Sequence, residues 1–352
     1  MTPDIQTLID ALADPVLIVG NDGRIAHLNT RAETVLGKGF SGRRVGLALR
    51  QPAAITLIET ALDGGAGGSA RVLLSVERHR TRPHDVRVVP FELDRRRVLL
   101  VTLDDVHERE ESDRRRQDFV ADVSHELKTP LTAMRGLVET LTGPASEEPE
   151  TRRRFLGLLL SEVGRMERLV GDLLTLQRVE AGAGRARHAE IALPAVVADA
   201  VRALRPLADK AGVSLVEHAA RDLPPIIADE DQVRQVALNL ISNALHHSGA
   251  TGIEVSASAI AKDPVLSGPA VALRVKDDGR GIEDHHIPRL TERFYRVESH
   301  RARNETSGTG LGLAIVKHIL ARHGGRLVID SAPGKGARFD AIFPASPVDT
   351  KL

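Results

Sequence analysis

The sequence has 352 residues, and several residue types are scarce in it: cysteine and tryptophan are absent, and tyrosine occurs once. Without cysteine there can be no disulfide bond, thiolate metal ligand or cysteine nucleophile, and the composition suits a reducing compartment. A net charge is also missing, because 48 basic residues balance 48 acidic ones. The chain as a whole therefore has no electrostatic attraction for nucleic acid or anionic lipid.

Long apolar segments are missing as well. The strongest apolar runs, Pro15–Val19 and Val98–Leu103, fall far short of the roughly 18–20 residues that cross a bilayer. The N-terminus does not show the basic segment followed by an apolar one that marks a signal peptide. We therefore expect a cytoplasmic protein with no membrane span in this chain.

The residues that are present predict an α+β protein of several domains. Residues 1–105 combine the hairpin turn Gly20–Gly23 with a helix at Thr30–Leu36 and later strands, which predicts a small α+β domain. Residues 106–188 predict a helical hairpin, and residues 189–346 predict an α/β domain followed by a tail at 347–352. The helices of the third region are expected at Leu193–Ala211, Glu230–His247, His285–Arg296 and Gly312–His323.

The two central helices are amphipathic. They run from about His107 to Leu141 and from about Glu150 to Ala181, each with apolar residues spaced by three or four. Two such helices bury little surface alone, so we expect a homodimer in which two hairpins form a four-helix bundle. Pro130 lacks an amide hydrogen and should bend the first helix. Gly182 is a predicted helix cap, and Ala181–Gly184 a predicted hinge.

A histidine on the first of these helices has the features of a nucleophile. His125 lies two residues from both Val123 and Leu127 of the apolar stripe. At 100° per residue its imidazole points about 200° away from that stripe, toward solvent. Glu126 is adjacent and can take up the proton as a ring nitrogen attacks, and Thr129 shares the face of the histidine. An isolated pair of this kind is more often an ordinary surface His beside a surface Glu.

Other segments in the third region suit a nucleotide. Asn239 and Asn243 lie one helical turn apart, so both amides face the same way and offer hard oxygen ligands to Mg²⁺. Asp277 ends a predicted strand and can accept a hydrogen bond from an adenine amino group. Gly279 and Gly281 follow it and allow close approach of the backbone.

A second glycine segment, Ser307–Leu313, opens a helix whose N-terminal amides can hold phosphate. In this order and spacing the segments resemble the conserved boxes of sensor histidine kinases of two-component systems, and among them the phosphate-regulon sensor kinases. The matching segments are His125–Leu131 (H box), Asn239–Ser248 (N box), Asp277–Ile282 (G1 box), Glu292–Arg296 (F box) and Gly308–Leu313 (G2 box). Residues 1–105 resemble a PAS sensor domain.

The resemblance implies the fold and the roles of individual residues. It implies a PAS-like domain, a phosphotransfer hairpin and a Bergerat-type α/β sandwich that binds ATP with Mg²⁺. His125 matches the phosphoacceptor, Glu126 its acid/base partner, and Thr129 the residue that orients a water for dephosphorylation. Asn243 matches the Mg²⁺ ligand, and Asp277 the adenine reader. The other implied nucleotide-site residues are Asn239, Gly279, Gly281, Ile282, Phe294, Tyr295, Gly308, Thr309, Gly310, Leu311 and Gly312.

Three positions depart from the family pattern. His246 replaces a frequent Lys or Arg, and a neutral imidazole supplies less charge to phosphate, so we expect a lower or pH-dependent nucleotide affinity. His247 replaces an aromatic residue, commonly Tyr, and can still stack on adenine. Ser307 replaces a frequent glycine.

The implied activity is protein-histidine kinase activity. The chain would autophosphorylate on His125 with ATP and pass the phosphoryl group to an aspartate of a separate response regulator, with regulator phosphatase activity as well. A phosphatase-dominant regulator with weak kinase activity is the alternative. An ATPase of the gyrase or chaperone type is disfavoured, because those enzymes have a glutamate where this chain has Asn239, and an amide is no general base. Nucleic-acid binding is disfavoured, because no aromatic residue interleaves with the basic runs Arg78–Arg82 and Arg95–Arg97.

Overall fold

The computed structural model of the chain describes residues 5–76, 80–93, 96–143, 148–180, 189–220, 223–297 and 308–346, leaving out the side chains of residues 76, 80, 115, 116, 219 and 247. The chain divides into two compact units, Met1–Ala121 and Asp122–Leu352. In the part described, no helix is long and apolar enough to span a membrane.

The first unit is built on an antiparallel sheet of five strands in the order β2-β1-β5-β4-β3. The strands are β1 (Val16–Val19), β2 (Ile25–Leu28), β3 (Gly68–Val76), β4 (Arg80–Leu93) and β5 (Arg96–Asp105). The helices are α1 (Ile5–Asp10), α2 (Thr30–Leu36), α3 (Val45–Ala48) and α4 (Pro52–Leu62). Helices α2–α4 share one core with the sheet, while α1 contributes Ile9 to a second, smaller cluster with Val16, Ile18 and Val98. The expected hairpin and the helix at Thr30–Leu36 are confirmed.

A buried asparagine organises this unit. Asn29, which is 1% exposed, follows β2 and caps α2. Its Oδ1 accepts from the amides of Val16 and Ala32, and its Nδ2 donates to the carbonyls of Ile9 and Asp14. These four hydrogen bonds use the whole capacity of the amide and tie three segments of the unit together.

Two long helices follow, α5 (His107–Leu141) and α6 (Pro149–Glu180). Their bounds agree with the sequence prediction to within one residue. Pro130 is buried inside α5, where it cannot donate the helical hydrogen bond to the carbonyl of Glu126. The predicted cap and hinge at Ala181–Gly184 lie outside the described residues.

The remaining residues form a five-stranded sheet with helices packed against it. The strands have the order β11-β12-β10-β9-β7, in which only the β7–β9 pair is parallel, and a separate ribbon pairs β6 with β8. The strands are β6 (Ala189–Ile191), β7 (Ser214–Ala219), β8 (Ile226–Ala228), β9 (Gly252–Ile260), β10 (Ala270–Asp277), β11 (Arg326–Ser331) and β12 (Ala337–Pro344). The helices are α7 (Leu193–Ala211), α8 (Glu230–His247) and α9 (Gly312–Arg322).

One predicted helix in this region is wrong. Residues His285–Arg296 do not form a helix, and only Ile287–Arg289 makes a short 3₁₀ turn. Pro288 has no amide for a helical hydrogen bond, and Phe294 adopts a positive φ of 61°, which a helix does not contain. The segment therefore consists of turns rather than a continuous helix. The family resemblance also predicts a mobile lid between Arg296 and Gly308. Residues 298–307 of this segment and the tail 347–352 lie outside the described residues.

Candidate functional site

The first group of candidate residues lies on α5. His125 and Thr129 are exposed, whereas Glu126 is half-buried. The predicted solvent-facing position of His125 is confirmed. The Thr129 hydroxyl donates to the backbone carbonyl of His125 at 3.2 Å. An exposed imidazole next to a carboxylate can act as a nucleophile with an adjacent proton acceptor.

The carboxylate of Glu126 faces an arginine on α6. Nη2 of Arg165 lies 3.7 Å from Oε2 of Glu126, and Nη1 of Arg165 lies 3.2 Å from Oε1 of Glu162. Arg165 thus stands between two carboxylates, one from each helix. This contact was not predicted from the sequence, because it depends on how the two helices pack.

The second group surrounds a cavity of about 230 Å³. It is lined by residues of α6 and α8, the segment after the 3₁₀ turn, and the start of α9, with one residue of β12. Of the predicted nucleotide-site residues, the lining includes Asn239, Asn243, His246, Ile282, Tyr295, Gly308, Thr309, Gly310 and Gly312. Asp277, Gly279, Gly281, Phe294 and Leu311 are not part of it, and the side chain of His247 lies outside the described residues.

One of the two asparagines of α8, Asn239, is held at the cavity by two hydrogen bonds. Gln235 Nε2 donates to Asn239 Oδ1 at 3.2 Å, and Asn239 Nδ2 donates to the carbonyl of Gly312 at 3.3 Å. These bonds fix Asn239 between its own helix and the start of α9. Asn243, one turn further along, lines the same cavity.

His246 turns back onto its own helix. Its Nδ1 lies 2.8 Å from the backbone carbonyl of Ser242 and 3.2 Å from the hydroxyl of the same residue. The lower or pH-dependent nucleotide affinity expected from this substitution stays a prediction.

Two adjacent aspartates at the end of β10 differ in their environments. Asp277 is 4% exposed, and burial raises its pKa, although the amides of Gly279 and Ala337 donate to it and oppose the rise. Asp278 accepts from the hydroxyl of Thr251 and the amide of Gly252, and the Thr251 hydroxyl lowers its pKa. Asp278 therefore has a structural role in holding the start of β9, whereas Asp277 keeps hydrogen-bonding capacity near the cavity.

Glycines allow close backbone contacts around this site. A Cβ on Gly281, which has a φ of +72°, would lie 1.9 Å from the carbonyl oxygen of Ala332. A Cβ on Gly310, with a φ of +73°, would lie 2.8 Å from backbone atoms of Phe294. The Phe294 amide donates to the carbonyl of Gly310 at 3.0 Å. Phe294 and Gly310 thus join the segment after the 3₁₀ turn to the loop before α9.

Tyr295, the single tyrosine, is anchored by polar contacts. Its hydroxyl and Nδ1 of His286 share a hydrogen bond of 2.6 Å, and the guanidinium carbon of Arg289 lies 4.2 Å from its ring centroid. The 3₁₀ turn that carries these partners thereby fixes one wall of the cavity.

Helix α6 also contributes to the cavity, which the sequence analysis missed. Arg168 and Asp172 line it, and Asp172 Oδ2 accepts from the Thr309 hydroxyl at 2.6 Å. Burial raises the pKa of Asp172, against the opposing effect of the Thr309 bond. The only sequence signal was the i, i+4 spacing of Arg168 and Asp172, which places them on one helix face.

A second contact joins the end of α6 to the same region. The Glu180 carboxylate pairs with the Arg293 guanidinium and lies 3.3 Å from Nε2 of His318 on α9. Burial lowers the pKa of His318, which Glu180 partly offsets. Asp172 and Glu180 together fasten α6 to both sides of the loop that precedes α9.

The donor set of the cavity fits a magnesium nucleotide. The amides at the start of α9 suit phosphate oxygens. Asn239 and Asn243 offer the hard oxygens that Mg²⁺ takes together with water and substrate phosphates. Within the described ranges, no three His, Asp or Glu side chains cluster as a protein-only metal site. A magnesium ion here would therefore be held largely by the nucleotide.

Comparisons with protein families agree with this reading. Residues 228–347 match the model "Histidine kinase-, DNA gyrase B-, and HSP90-like ATPase". Residues 115–182 match "His Kinase A (phospho-acceptor) domain", and residues 4–65 match a PAS domain. The fold and the cavity thus define an ATP-binding region of the type shared by histidine kinases, gyrase B and HSP90.

Curated relatives specify the family. The chain is 34% identical to the phosphate regulon sensor protein PhoR of Pseudomonas aeruginosa, over 98% of this chain and 75% of that protein. It is 37% identical to the sensor-like histidine kinase SenX3 of Mycolicibacterium smegmatis, over 72% of this chain and 64% of that protein. It is 36% identical to the sensor histidine kinase WalK of Bacillus subtilis, over 70% of this chain and 39% of that protein. The chain belongs to the sensor histidine kinases, and its enzyme class is protein-histidine kinase.

A solved structure has the same overall fold. The histidine kinase ThkA, crystallised in complex with the response regulator protein TrrA, aligns with a TM-score of 0.52 over 97% of this chain and 99% of that chain, at 20% identity. This likeness concerns the fold alone.

Proposed function

We propose that the protein transfers the γ-phosphoryl group of ATP to His125 and then to an aspartate of a separate response regulator. The observation that carries this proposal is the exposed His125 beside the half-buried Glu126 on α5, in the same compact unit as a cavity with nucleotide-binding groups. An ATP-binding cavity without such a histidine would support ATP hydrolysis equally well. The histidine site supports phosphoryl transfer to the protein itself.

In the first step, a ring nitrogen of His125 attacks the γ-phosphorus. A nitrogen–phosphorus bond forms, the bond to the bridging oxygen breaks, and ADP leaves. Glu126 accepts the proton that the attacking imidazole releases from its other nitrogen. Bound magnesium supplies positive charge that offsets the charge developing on the phosphate oxygens.

The nucleotide site is proposed to divide into two parts. Asp277, together with Gly279, Gly281 and Ile282, forms the adenine side. Asn243 holds the magnesium ion, with Asn239 nearby, and the amides of the loop Gly308–Gly312 hold the phosphates. The remaining proposed contacts are those of His246, His247, Phe294, Tyr295, Thr309 and Leu311.

In the second step, the phosphoryl group passes from His125 to a carboxylate of the regulator. A regulator phosphatase activity is also proposed, in which Thr129 orients a water toward the acyl phosphate. The exposed position of Thr129, one turn from His125, supports this role. The phosphatase-dominant alternative remains a second candidate, because His246 stands where the family frequently has Lys or Arg and supplies less charge to phosphate.

The helical hairpin is proposed to form the dimer. Several apolar side chains of α5 and α6 are exposed in the single chain, among them Leu131 (53%), Val138 (46%) and Leu174 (54%). Pairing two hairpins into a four-helix bundle would bury this surface. A second copy of this chain is thus the proposed partner of the hairpin, and size measurement in solution tests it.

We also propose the domain limits 1–105, 106–188 and 189–346, with a tail at 347–352. The sheet of the first unit ends at Asp105 and α5 begins at His107, which supports the first limit. A cytoplasmic location is proposed, because the proposed reaction consumes ATP and passes the phosphoryl group to a separate response regulator.

The test uses radiolabelled γ-phosphate on ATP. Wild-type protein should acquire label that is stable in base and lost in acid, and His125→Gln should acquire none. His107→Gln is a matched control, because His107 lies on the same helix and is also followed by a glutamate. Undiminished label in His125→Gln would contradict the proposal. Comparing labelling with the rate at which a phosphorylated regulator loses phosphate separates the kinase from the phosphatase-dominant alternative.

A further inference from the structure

We propose that Arg165 is a positioning residue that holds Glu126 in the orientation needed to accept a proton from His125. This inference rests on the proposed function, since it assigns a role to a partner of Glu126. Neither the sequence motifs nor the family comparisons assign a role to Arg165.

Arg165 contacts a carboxylate on each of the two long helices. It reaches from α6 to Glu126 on α5, with 3.7 Å between Nη2 and Oε2. Glu162, which precedes Arg165 by three residues on the same helix, holds the other end of the guanidinium at 3.2 Å. The guanidinium is therefore fixed from its own helix and presented to the neighbouring one.

The three charged side chains of this contact are partly buried. The side chains of Arg165, Glu126 and Glu162 are 21%, 36% and 17% exposed, respectively. Charges removed from water to this extent interact more strongly than fully exposed ones, and salt screens them less. An arginine stays protonated at any pH that proteins tolerate, so its effect on Glu126 is constant.

The contact involves one of the two carboxylate oxygens of Glu126. Arg165 faces Oε2 of Glu126, and a carboxylate has a second oxygen, Oε1, that can accept an imidazole N–H. The contact with Arg165 restricts the rotamer of Glu126 and leaves Oε1 available to the imidazole. A base fixed in orientation suits proton transfer during attack.

The experiment is a double-mutant cycle. Single-turnover autophosphorylation is measured with varied ATP for the wild type, Arg165→Gln, Glu126→Gln and the double variant. We expect Arg165→Gln to lower the maximal rate about two- to fivefold, the range of a partly exposed ion pair, with the KM for ATP unchanged. In the Glu126→Gln background the same substitution should have no further effect. Arg165→Lys should restore part of the rate, and Arg154→Gln, an exposed arginine of α6, should not change it.

Two readouts separate positioning from a structural role. Loss of a residue that only positions the proton acceptor lowers the maximal rate and leaves the KM for ATP unchanged, and the conservative variant Arg165→Lys restores part of that rate. Melting temperatures identify a variant that fails to fold, in which case Arg165→Lys carries the comparison.

Several outcomes would overturn the inference. An equal rate loss from Arg165→Gln in the wild-type and Glu126→Gln backgrounds would show that the arginine acts elsewhere, and an unchanged maximal rate in Arg165→Gln would show that it does not position Glu126. If the wild type labels on His125 and either result appears, only this inference fails. If His125→Gln labels normally, the proposed function fails as well.

Discussion

Asn29 in the first unit and Asp277 in the second are both buried polar residues at strand ends, yet their hydrogen-bonding capacity is used differently. Asn29 makes four hydrogen bonds to backbone groups and has no capacity left. Asp277 accepts from two backbone amides, while a carboxylate has about four acceptor positions. Burial raises the pKa of Asp277, which reflects a cost of holding charge there.

The difference separates a structural polar group from one available to a ligand. A buried polar side chain whose bonds are all made within the protein contributes to folding. A buried polar side chain with unused hydrogen-bonding capacity keeps part of its desolvation cost. Binding a ligand that donates a hydrogen bond to it offsets that cost. By this criterion Asn29 belongs to the fold, and Asp277 keeps the capacity that its proposed contact with the nucleotide requires.

The largest expected effect comes from Asn29. Asn29→Ala should lower the free energy of unfolding of the first unit by roughly 3 kcal/mol, because it removes a helix cap and leaves buried backbone groups unpaired. Nucleotide affinity should stay within about twofold of the wild type. Denaturant unfolding and titration with a fluorescent ADP analogue measure the two quantities. A stable variant would mean that the amide network contributes little.

The complementary change is Asp277→Ala. It should weaken nucleotide binding by about 10- to 100-fold, since it removes a buried acceptor worth roughly 1–3 kcal/mol, while the first unit keeps its stability. Calorimetric titration with ADP provides the measurement. Asp278→Asn is the neighbouring control, because Asp278 is engaged by Thr251 and Gly252. Equal losses of affinity in both variants would remove the distinction between the two aspartates.

The smallest effect concerns Asp172, which is intermediate between these cases, with one side-chain partner, Thr309. Its folded-state pKa is raised, so its contribution to stability is fully present below the ordinary carboxyl range and is lost as pH rises through the raised value. Asp172→Asn should remove the part of the pH dependence of stability that comes from this residue. The change in the free energy of unfolding should be less than about 1 kcal/mol, because the group is partly exposed.

Melting temperatures measured from about pH 4 to pH 7 test this prediction. Asp209→Asn, at an exposed aspartate of α7, is the control and should leave the pH dependence unchanged. A pH dependence that is the same in Asp172→Asn and the wild type would place the titrating group elsewhere.

Local patterns predicted elements that are determined locally. Helix α8 agrees with its prediction at both ends, because Asp229 caps it and its apolar residues recur with helical spacing. The His285–Arg296 helix failed, because Pro288 and the positive φ of Phe294 outweigh the helical propensity around them. Helix α4 was not predicted, although its sequence begins with Pro52 at a favourable N-terminal position.

Motif spacing predicted nine of the residues that line the cavity, but not what α6 adds. Asn239 and Gly312 are far apart in the chain and share a hydrogen bond, as their membership in two nucleotide motifs suggested. Arg165, Arg168 and Asp172 belong to no such motif. Their partners come from other elements, so only the packing of α6 reveals them.

Pro130 gives Glu126 a mechanical role in addition to the proton acceptance proposed for it. The carbonyl of Glu126 has no helical amide opposite it, so the hydrogen-bond ladder of α5 lacks one rung there. Because the side chain of the same residue is tethered to Arg165, bending α5 at this missing rung would change the distance between the tethered groups. A movement that kinks the helix would thereby change the position of the proposed proton acceptor, Glu126, relative to His125.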